Sequence, residues 1–145
     1  MQSLGWRDYA ARRTGLPVGS RGELRQNLNR AFTASSFGRF WQIWNPLFGF
    51  YLQLWLYRPL QRRFPQSLAL WLTFVGNGML HDAVTMLVRQ DVALFFTPWF
   101  ALMGAYVLIE RRLEIRLDAG KPVVAICYHS SLLMVSAALS AFVRI

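Results

Sequence analysis

The chain has 145 residues and a formal net charge of +9, and its length fits a single domain. Hydrophobic residues make up 54% of it and charged residues 16%, whereas soluble domains usually carry about 25% charged residues. The basic residues cluster before residue 40 and in short loops between apolar runs. That distribution is typical of a membrane protein with cytoplasmic basic loops, and it argues against a nucleic acid partner, which needs one water-facing basic surface.

The cysteine content limits the disulfide and metal chemistry that is possible, and the N-terminal residues indicate the side of the membrane on which the N-terminus lies. Cys127 is the only cysteine, which excludes an internal disulfide and a cysteine-based zinc site. We interpret it as a small buried apolar side chain rather than a nucleophile. The first twenty residues contain Arg7, Arg12 and Arg13 and no apolar core, so no secretory signal peptide is visible. We therefore expect a cytoplasmic N-terminus and no permanently bound cofactor.

Residues 1–36 form a basic polar segment that precedes a membrane domain at residues 37–145. The part up to Gly19 is polar, and we expect it to be irregular. Ser20 and Glu23 then have capping-box spacing, and apolar residues follow at helical spacing: Leu24, Leu28, Ala31 and Phe32. This pattern predicts a short basic amphipathic helix. Two interpretations remain open, since such a helix can lie on an anionic lipid surface or pack on the rest of the protein.

The stretch GRFWQIWNPLFGF (residues 38–50) opens the membrane domain. Phe37, Phe40, Trp41 and Trp44 form an i, i+3, i+4, i+7 stripe, and we expect it to anchor a helix at the membrane interface. Ser35 or Ser36 is suited to cap this helix. The stripe stops at Asn45, because a residue before proline is pushed out of the α region. The apolar run of residues 47–57 is too short to span a bilayer, which favours a re-entrant or interfacial segment.

Three longer apolar segments follow, at residues 67–88, 92–109 and 122–143. The basic residues Arg58, Arg62 and Arg63 precede the first, and the loop of residues 110–121 is also basic. With these loops inside and the turn containing Arg89 and Asp91 outside, the positive-inside rule is obeyed. The sequence therefore predicts an all-α integral membrane protein with about three full transmembrane helices, a re-entrant or interfacial helix and an N-terminal amphipathic helix.

The first long segment contains the polar residues Asn77, His81 and Asp82. Placing a charged residue at the centre of a bilayer costs about 2.5 to 3.5 kcal/mol on insertion scales. The presence of these polar residues in an apolar segment therefore requires a structural or functional explanation. One interpretation is a polar patch that joins helices, with Gly76 and Gly78 allowing a close approach. The other pairs His81 with Asn45, because non-helical backbone at membrane depth is tolerated only where it faces protein or a water-filled cavity.

Three motifs together resemble the membrane-bound O-acyltransferase family, and most closely its sterol and diacylglycerol acyltransferase branch. They read FWQIWN (residues 40–45), YRPL (residues 57–60) and HD (residues 81–82), the last replacing an HE-like pair. The resemblance covers residues 37–85, about a third of the chain. It is to the C-terminal portion of a family whose members usually have several hundred residues, so it implies an unusually short form.

The resemblance implies acyl transfer from an acyl thioester, usually acyl-coenzyme A as co-substrate, to a hydroxyl acceptor at the lipid bilayer. His81 would act as general base, and Asn45 would position the acceptor or stabilise the oxyanion. It implies a further role for several other residues: support of the site by Asp82, Asn77, Trp41 and Trp44, and attraction of coenzyme A phosphates by Arg58, Arg62 and Arg63.

Alternatives follow from the short chain. It is predicted to need self-association or a partner membrane chain if its acyl tunnel is incomplete. A non-catalytic membrane subunit that uses the same scaffold to bind lipid or a partner protein is the alternative function, and a small transporter component is a weaker one. His129, with Ser130 and Ser131, lacks a third group to orient a triad, and we interpret it as a helix-packing or cavity-lining residue.

Overall fold

The computed structural model describes residues 5–90, 94–118 and 120–142. Across these ranges the chain is helical and contains no strand. Asp91, Val92 and Val143, which the sequence places in a turn and at segment ends, fall outside them. The helices are α1 (Trp6–Thr14), α2 (Glu23–Phe32), α3 (Phe37–Trp44), α4 (Pro46–Leu52), a π-helical turn (Gln53–Tyr57), α5 (Arg58–Gln61), α6 (Gln66–Arg89), α7 (Phe96–Arg112) and α8 (Pro122–Phe142).

Within the N-terminal segment, Trp6–Thr14 is helical, so the prediction that the part up to Gly19 is irregular is wrong for these residues. α1 buries Ala10 and Thr14, which lie one turn apart and therefore share a face. The Tyr9 ring contacts the ring of Phe50 in α4, with the centroids 5.5 Å apart. Docking on α4 thus supplies the apolar burial that short helices need in order to form.

α2 forms as predicted, but its capping box does not. Gly22 precedes the helix with a φ of 83°, and this left-handed turn redirects the chain. The Ser20 hydroxyl donates to the carbonyl of Pro17 instead, at 2.7 Å, and the Glu23 carboxylate accepts from the Gly19 N–H. Ala31 is buried against α3, whereas Leu24 is 71% exposed. One face of α2 therefore packs on the protein while another remains open.

The phenylalanines of the α3 stripe lie in the protein core, so these two rings do not anchor the helix at a membrane interface as predicted. Phe37 and Phe40 are fully buried, and Trp44 is exposed. The side chain of Ser36 accepts from the Arg39 N–H at 3.0 Å, which confirms the predicted cap. The core cluster of the described residues comprises Ala31, Ala34, Phe37, Phe40, Ile43, Phe100, Met103 and Val107.

α3 ends at Asn45, as Pro46 predicts, but the chain becomes helical again at once. Pro46 is the first residue of α4, a position that needs no backbone N–H. The chain stays helical through the π-helical turn to Gln61. Sixteen helical residues span about 24 Å, which is shorter than a hydrocarbon core of about 30 Å.

α6 and α7 form a hairpin whose close approach depends on glycine. A methyl group built on Gly78 would lie 2.6 Å from the carbonyl oxygen of Phe96, so the α7 backbone occupies the space of a side chain. The prediction that Gly78 admits a neighbouring backbone is confirmed. Gly76 instead faces the side chain of Leu56. The Trp71 indole N–H donates to the carbonyl of Ala101 at 3.0 Å, adding a polar tie between the two helices.

α8 packs antiparallel to α7 through polar contacts at both ends. The Ser140 hydroxyl donates to the carbonyl of Phe95 at 2.6 Å, near the start of α7. Near the other end of α7, the hydroxyls of Tyr106 and Tyr128 are 2.7 Å apart. The end of α8 thus lies beside the start of α7, and the first half of α8 lies beside the second half of α7.

Of the described helices, α8 alone is long and apolar enough to cross a membrane, with a mean hydropathy of 1.7 over its best window. α6 and α7 follow the predicted segments closely in sequence, but α7 has only 17 residues, and α6 carries the polar group around His81. The predicted number of about three transmembrane helices is therefore not confirmed by helix length and hydropathy. Cys127 is exposed on α8, so its predicted burial is wrong, because it lies on the helix face turned away from α7.

The Gly78 contact is testable by Gly78→Ala, with Gly76→Ala as the matched control on the same helix. Both changes raise intrinsic helix propensity by about 1 kcal/mol. We expect Gly78→Ala to destabilise the hairpin by about 1 to 3 kcal/mol net, because the backbone it meets cannot rotate away. Gly76→Ala meets only a movable leucine side chain and should cost less. Thermal unfolding in detergent micelles measures both, and equal midpoints for the two variants would contradict the packing.

Candidate functional site

His81 presents its imidazole on an aromatic surface of the α6–α7 hairpin. The side chain is exposed, and its ring stacks on Phe100 with the centroids 5.3 Å apart and the planes 9° apart. Phe96 lies 5.3 Å away, and Phe48 of α4 lies 6.1 Å away on another element. Neither ring nitrogen is hydrogen-bonded to a described residue. The imidazole is thus fixed by aromatic contacts while its nitrogens remain open to a ligand.

Asn45 is connected to His81 through Phe48. Its side-chain oxygen accepts from the Phe48 N–H at 3.1 Å, so Asn45 caps the first turn of α4, the helix that carries the Phe48 ring to His81. The capping oxygen is used, whereas the amide NH₂ has no acceptor among the described residues. The link between the two predicted catalytic residues is thus indirect and runs through Phe48.

Asp82 points away from His81 and binds the start of α7. The residue is 2% exposed. Its carboxylate accepts from three successive backbone N–H groups, those of Phe95 at 3.0 Å, Phe96 at 2.8 Å and Thr97 at 2.7 Å. A carboxylate at a helix N-terminus satisfies orphan donors and the helix dipole together. Asp82 thus caps the helix that carries Phe96 and Phe100, the two rings beside His81, and its support of a catalytic site stays a prediction.

Asn77 and Trp41 lie in the wall of a cavity of about 250 Å³. The α6 residues that line it are Gln66, Leu70, Thr73, Phe74 and Asn77, and they end one helical turn before His81. The Asn77 side-chain oxygen and the Trp41 indole N–H are both buried without a hydrogen-bond partner. Such groups are costly to leave unpaired, and both atoms are covered by protein rather than open to the cavity.

The remaining predicted residues lie elsewhere. Trp44 stacks on Phe40 at 5.4 Å and is otherwise exposed. Arg58, Arg62 and Arg63 are exposed at and after α5. They line neither the cavity at Asn77 nor a larger polar one described below.

Sequence reasoning missed Glu110, a buried carboxylate at the end of α7. It is 2% exposed and accepts from the N–H groups of Phe37 at 2.6 Å and Gly38 at 2.9 Å. The Tyr128 hydroxyl adds a third bond at 3.1 Å. Glu110 thereby caps α3 across the fold, as Asp82 caps α7. The available signal was an acidic residue that ends an apolar run immediately before two arginines.

His129 packs between helices, which confirms its interpretation. It is fully buried, and its Nε2 lies 3.0 Å from the carbonyl oxygen of Ala34. That geometry assigns the proton to Nε2, because a carbonyl can only accept. The ring also stacks on Phe37 at 6.0 Å. His129 therefore ties α8 to the junction of α2 and α3.

Comparison of the chain with protein-family models, with curated proteins and with solved structures finds no match.

Removing the Asp82 carboxylate tests its capping role. We expect Asp82→Ala to lower the free energy of unfolding by about 1 to 3 kcal/mol, because three buried backbone donors lose their acceptor. Asp82→Asn retains one accepting oxygen and should have an intermediate effect. Thermal unfolding in detergent micelles measures the series. Asp8→Asn, at an exposed position in α1, is the control for loss of one negative charge, and a loss as large there would contradict the assignment.

Proposed function

We propose that this protein is an integral membrane O-acyltransferase that moves an acyl group from an acyl thioester, in the first instance acyl-coenzyme A, to a hydroxyl acceptor. The observation that carries the proposal is the position of His81. Its imidazole stacks on Phe100 with neither ring nitrogen hydrogen-bonded to a described residue, one helical turn beyond Asn77 in the wall of a cavity. The family resemblance of the three motifs supports the same chemistry.

In this proposal α6, α7 and α8 all cross the membrane, with the N-terminus on the cytoplasmic side. The Leu117 N–H donates to the carbonyl of Ser35 at 2.8 Å, so the loop of residues 110–121 meets the end of the N-terminal segment at one end of the fold. Asp82 lies sixteen residues beyond Gln66, about 24 Å along α6, at the opposite end. This arrangement supports a common cytoplasmic side for the N-terminal segment and the loop of residues 110–121.

The proposed chemistry needs one proton acceptor and one donor to the oxyanion. As the acceptor hydroxyl attacks the thioester carbonyl carbon, a ring nitrogen of His81 takes its proton. The carbonyl oxygen becomes negative, and the amide NH₂ of Asn45 donates to it. When the intermediate collapses, the carbon–sulfur bond breaks, and the thiolate takes the proton back from the imidazolium. The products are an ester and a free thiol.

The cavity at Asn77 is suited to the approach of one substrate. Leu70, Phe74 and Val107 give it an apolar wall, while Arg13 and Arg111 also line it. The assignment of Arg58, Arg62 and Arg63 to coenzyme A phosphates remains a prediction, and Arg13 and Arg111 are better placed for it.

One observation favours the alternative of a non-catalytic membrane subunit. His81 and Asn45 are both exposed, so no tunnel encloses them within the described residues. An exposed polar pair at membrane depth favours a contact with another chain. This alternative predicts tight co-purification with a partner and no thioester turnover by the isolated chain.

His81→Ala tests the general base. We expect transfer from labelled acyl-coenzyme A to a panel of lipid hydroxyl acceptors to fall by at least about a hundredfold, the usual contribution of general-base catalysis. The protein should still insert and accumulate, since the ring makes no hydrogen bond to a described residue. Thr85→Ala, one turn along α6, is the matched control and should leave the rate unchanged. Full activity of His81→Ala would exclude this residue as the base.

Asn45 has a capping oxygen and a separate amide donor, and two substitutions distinguish them. Asn45→Asp keeps an oxygen for the Phe48 N–H and removes the NH₂ donor, so we expect normal stability with a loss of transfer rate. Asn45→Ala loses both, with an added destabilisation of about 1 kcal/mol. Thermal unfolding and the transfer rate are measured together. Retained activity in Asn45→Asp would show that the residue serves only as a cap.

A further inference from the structure

A polar cavity of about 560 Å³ lies where the turn between α2 and α3 meets the end of α7 and the segment that follows it. Three arginines line it, Arg39 from α3, Arg111 from α7 and Arg116 from beyond α7. Ser35 and Ser36 contribute hydroxyl groups to the same wall. The sequence separates these groups by some seventy residues, and the fold brings them together.

The three guanidinium groups have little competition for their donors. Within the described residues, these three side chains make one hydrogen bond, which Arg39 donates to the side-chain oxygen of Gln42 at 3.2 Å. No carboxylate of the described residues is hydrogen-bonded to any of the three. Each guanidinium offers a planar fork of N–H groups that matches the oxygens of a phosphate.

Two carboxylates also line the cavity, and only one is uncommitted. Glu110 is occupied by the backbone N–H groups of Phe37 and Gly38 and by the Tyr128 hydroxyl. Glu114 is exposed, at a left-handed turn after α7. The lining thus carries three guanidinium groups against two carboxylates, of which one is occupied by hydrogen bonds, and this balance favours an anion.

The hydroxyl groups of Ser35 and Ser36 add hydrogen-bond donors, so the cavity is suited to an anion that accepts several hydrogen bonds. The oxygen of Ser36 already accepts from the Arg39 N–H, so its hydroxyl proton remains to be donated. A phosphate has enough oxygens to accept from all three arginines and the hydroxyls, whereas a carboxylate has two.

We propose that this cavity, lined by Arg39, Arg111, Arg116 and the Ser35–Ser36 hydroxyls, is a binding site for the phosphate of a phosphomonoester. The ester is either the head group of a membrane lipid or a soluble metabolite. Gly38, Gln42 and Arg111 also line the cavity at Asn77, so the two spaces adjoin and the rest of the molecule can extend toward it. The site requires neither His81 nor acyl transfer.

Binding is measured on the purified full chain in maltoside micelles, which contain no phosphate. The probes are inorganic phosphate, glycerol 3-phosphate and a lysophosphatidate with a ten-carbon chain, each titrated calorimetrically. We expect saturable binding that Arg111→Gln and Arg116→Gln each weaken about tenfold or more in Kd, the range for a lost charge-assisted hydrogen bond. The binding should also weaken as salt is raised.

Arg112→Gln is the matched control, because Arg112 is exposed at the same helix end and lines neither cavity. It should retain the Kd of the unaltered chain. Binding of lysophosphatidate alone identifies a lipid head group, and binding of glycerol 3-phosphate as well identifies a soluble ester; both support the site. Absence of saturable binding by every probe, or equal weakening in Arg112→Gln, would overturn it. His81→Ala should bind unchanged, which separates this result from the test of catalysis.

Discussion

The fold depends on two buried carboxylates, each of which caps a helix other than its own. Asp82 of α6 accepts three N–H groups at the start of α7, and Glu110 at the end of α7 accepts two at the start of α3. Helix starts buried in an apolar environment need such acceptors, because no water is there to take their donors. α7 is therefore attached at both ends, and α3, with the core rings of Phe37 and Phe40, is placed relative to it.

This constraint also organises the candidate site. His81 is exposed and keeps its position through stacking on Phe100 and Phe96, which belong to the helix that Asp82 caps. Phe48 contacts the imidazole from a helix that Asn45 caps. Two polar residues thus position aromatic rings around the imidazole, which remains exposed. His81 is thus the exposed residue of the candidate site, whereas its neighbour Asp82 satisfies the N–H groups of a helix start.

Long periodic segments were predictable from the sequence, and long-range contacts were not. Apolar length located α6, α7 and α8 closely, and Pro46 fixed the break at Asn45. α1 was missed because its burial against α4 is tertiary and leaves little local pattern. The capping box at Ser20 failed because Gly22 adopts a left-handed backbone. Glu110 resembled an ordinary loop charge, since the two backbone N–H groups from which it accepts at the start of α3 lie more than seventy residues away. Arg39 and Arg116 likewise come together only in the folded chain.

The adjacency of residues 81 and 82 has a consequence for how this chain tolerates insertions. Successive residues of an α-helix are rotated by about 100°, so His81 faces the open aromatic surface while Asp82 faces α7. An inserted residue earlier in α6 would turn both side chains by that angle and also move the glycine that admits the α7 backbone. His81 and Asp82 therefore fix the helical register of α6. The hairpin can accommodate an insertion or deletion in the turn between α6 and α7, but not in the part of α6 that precedes these two residues.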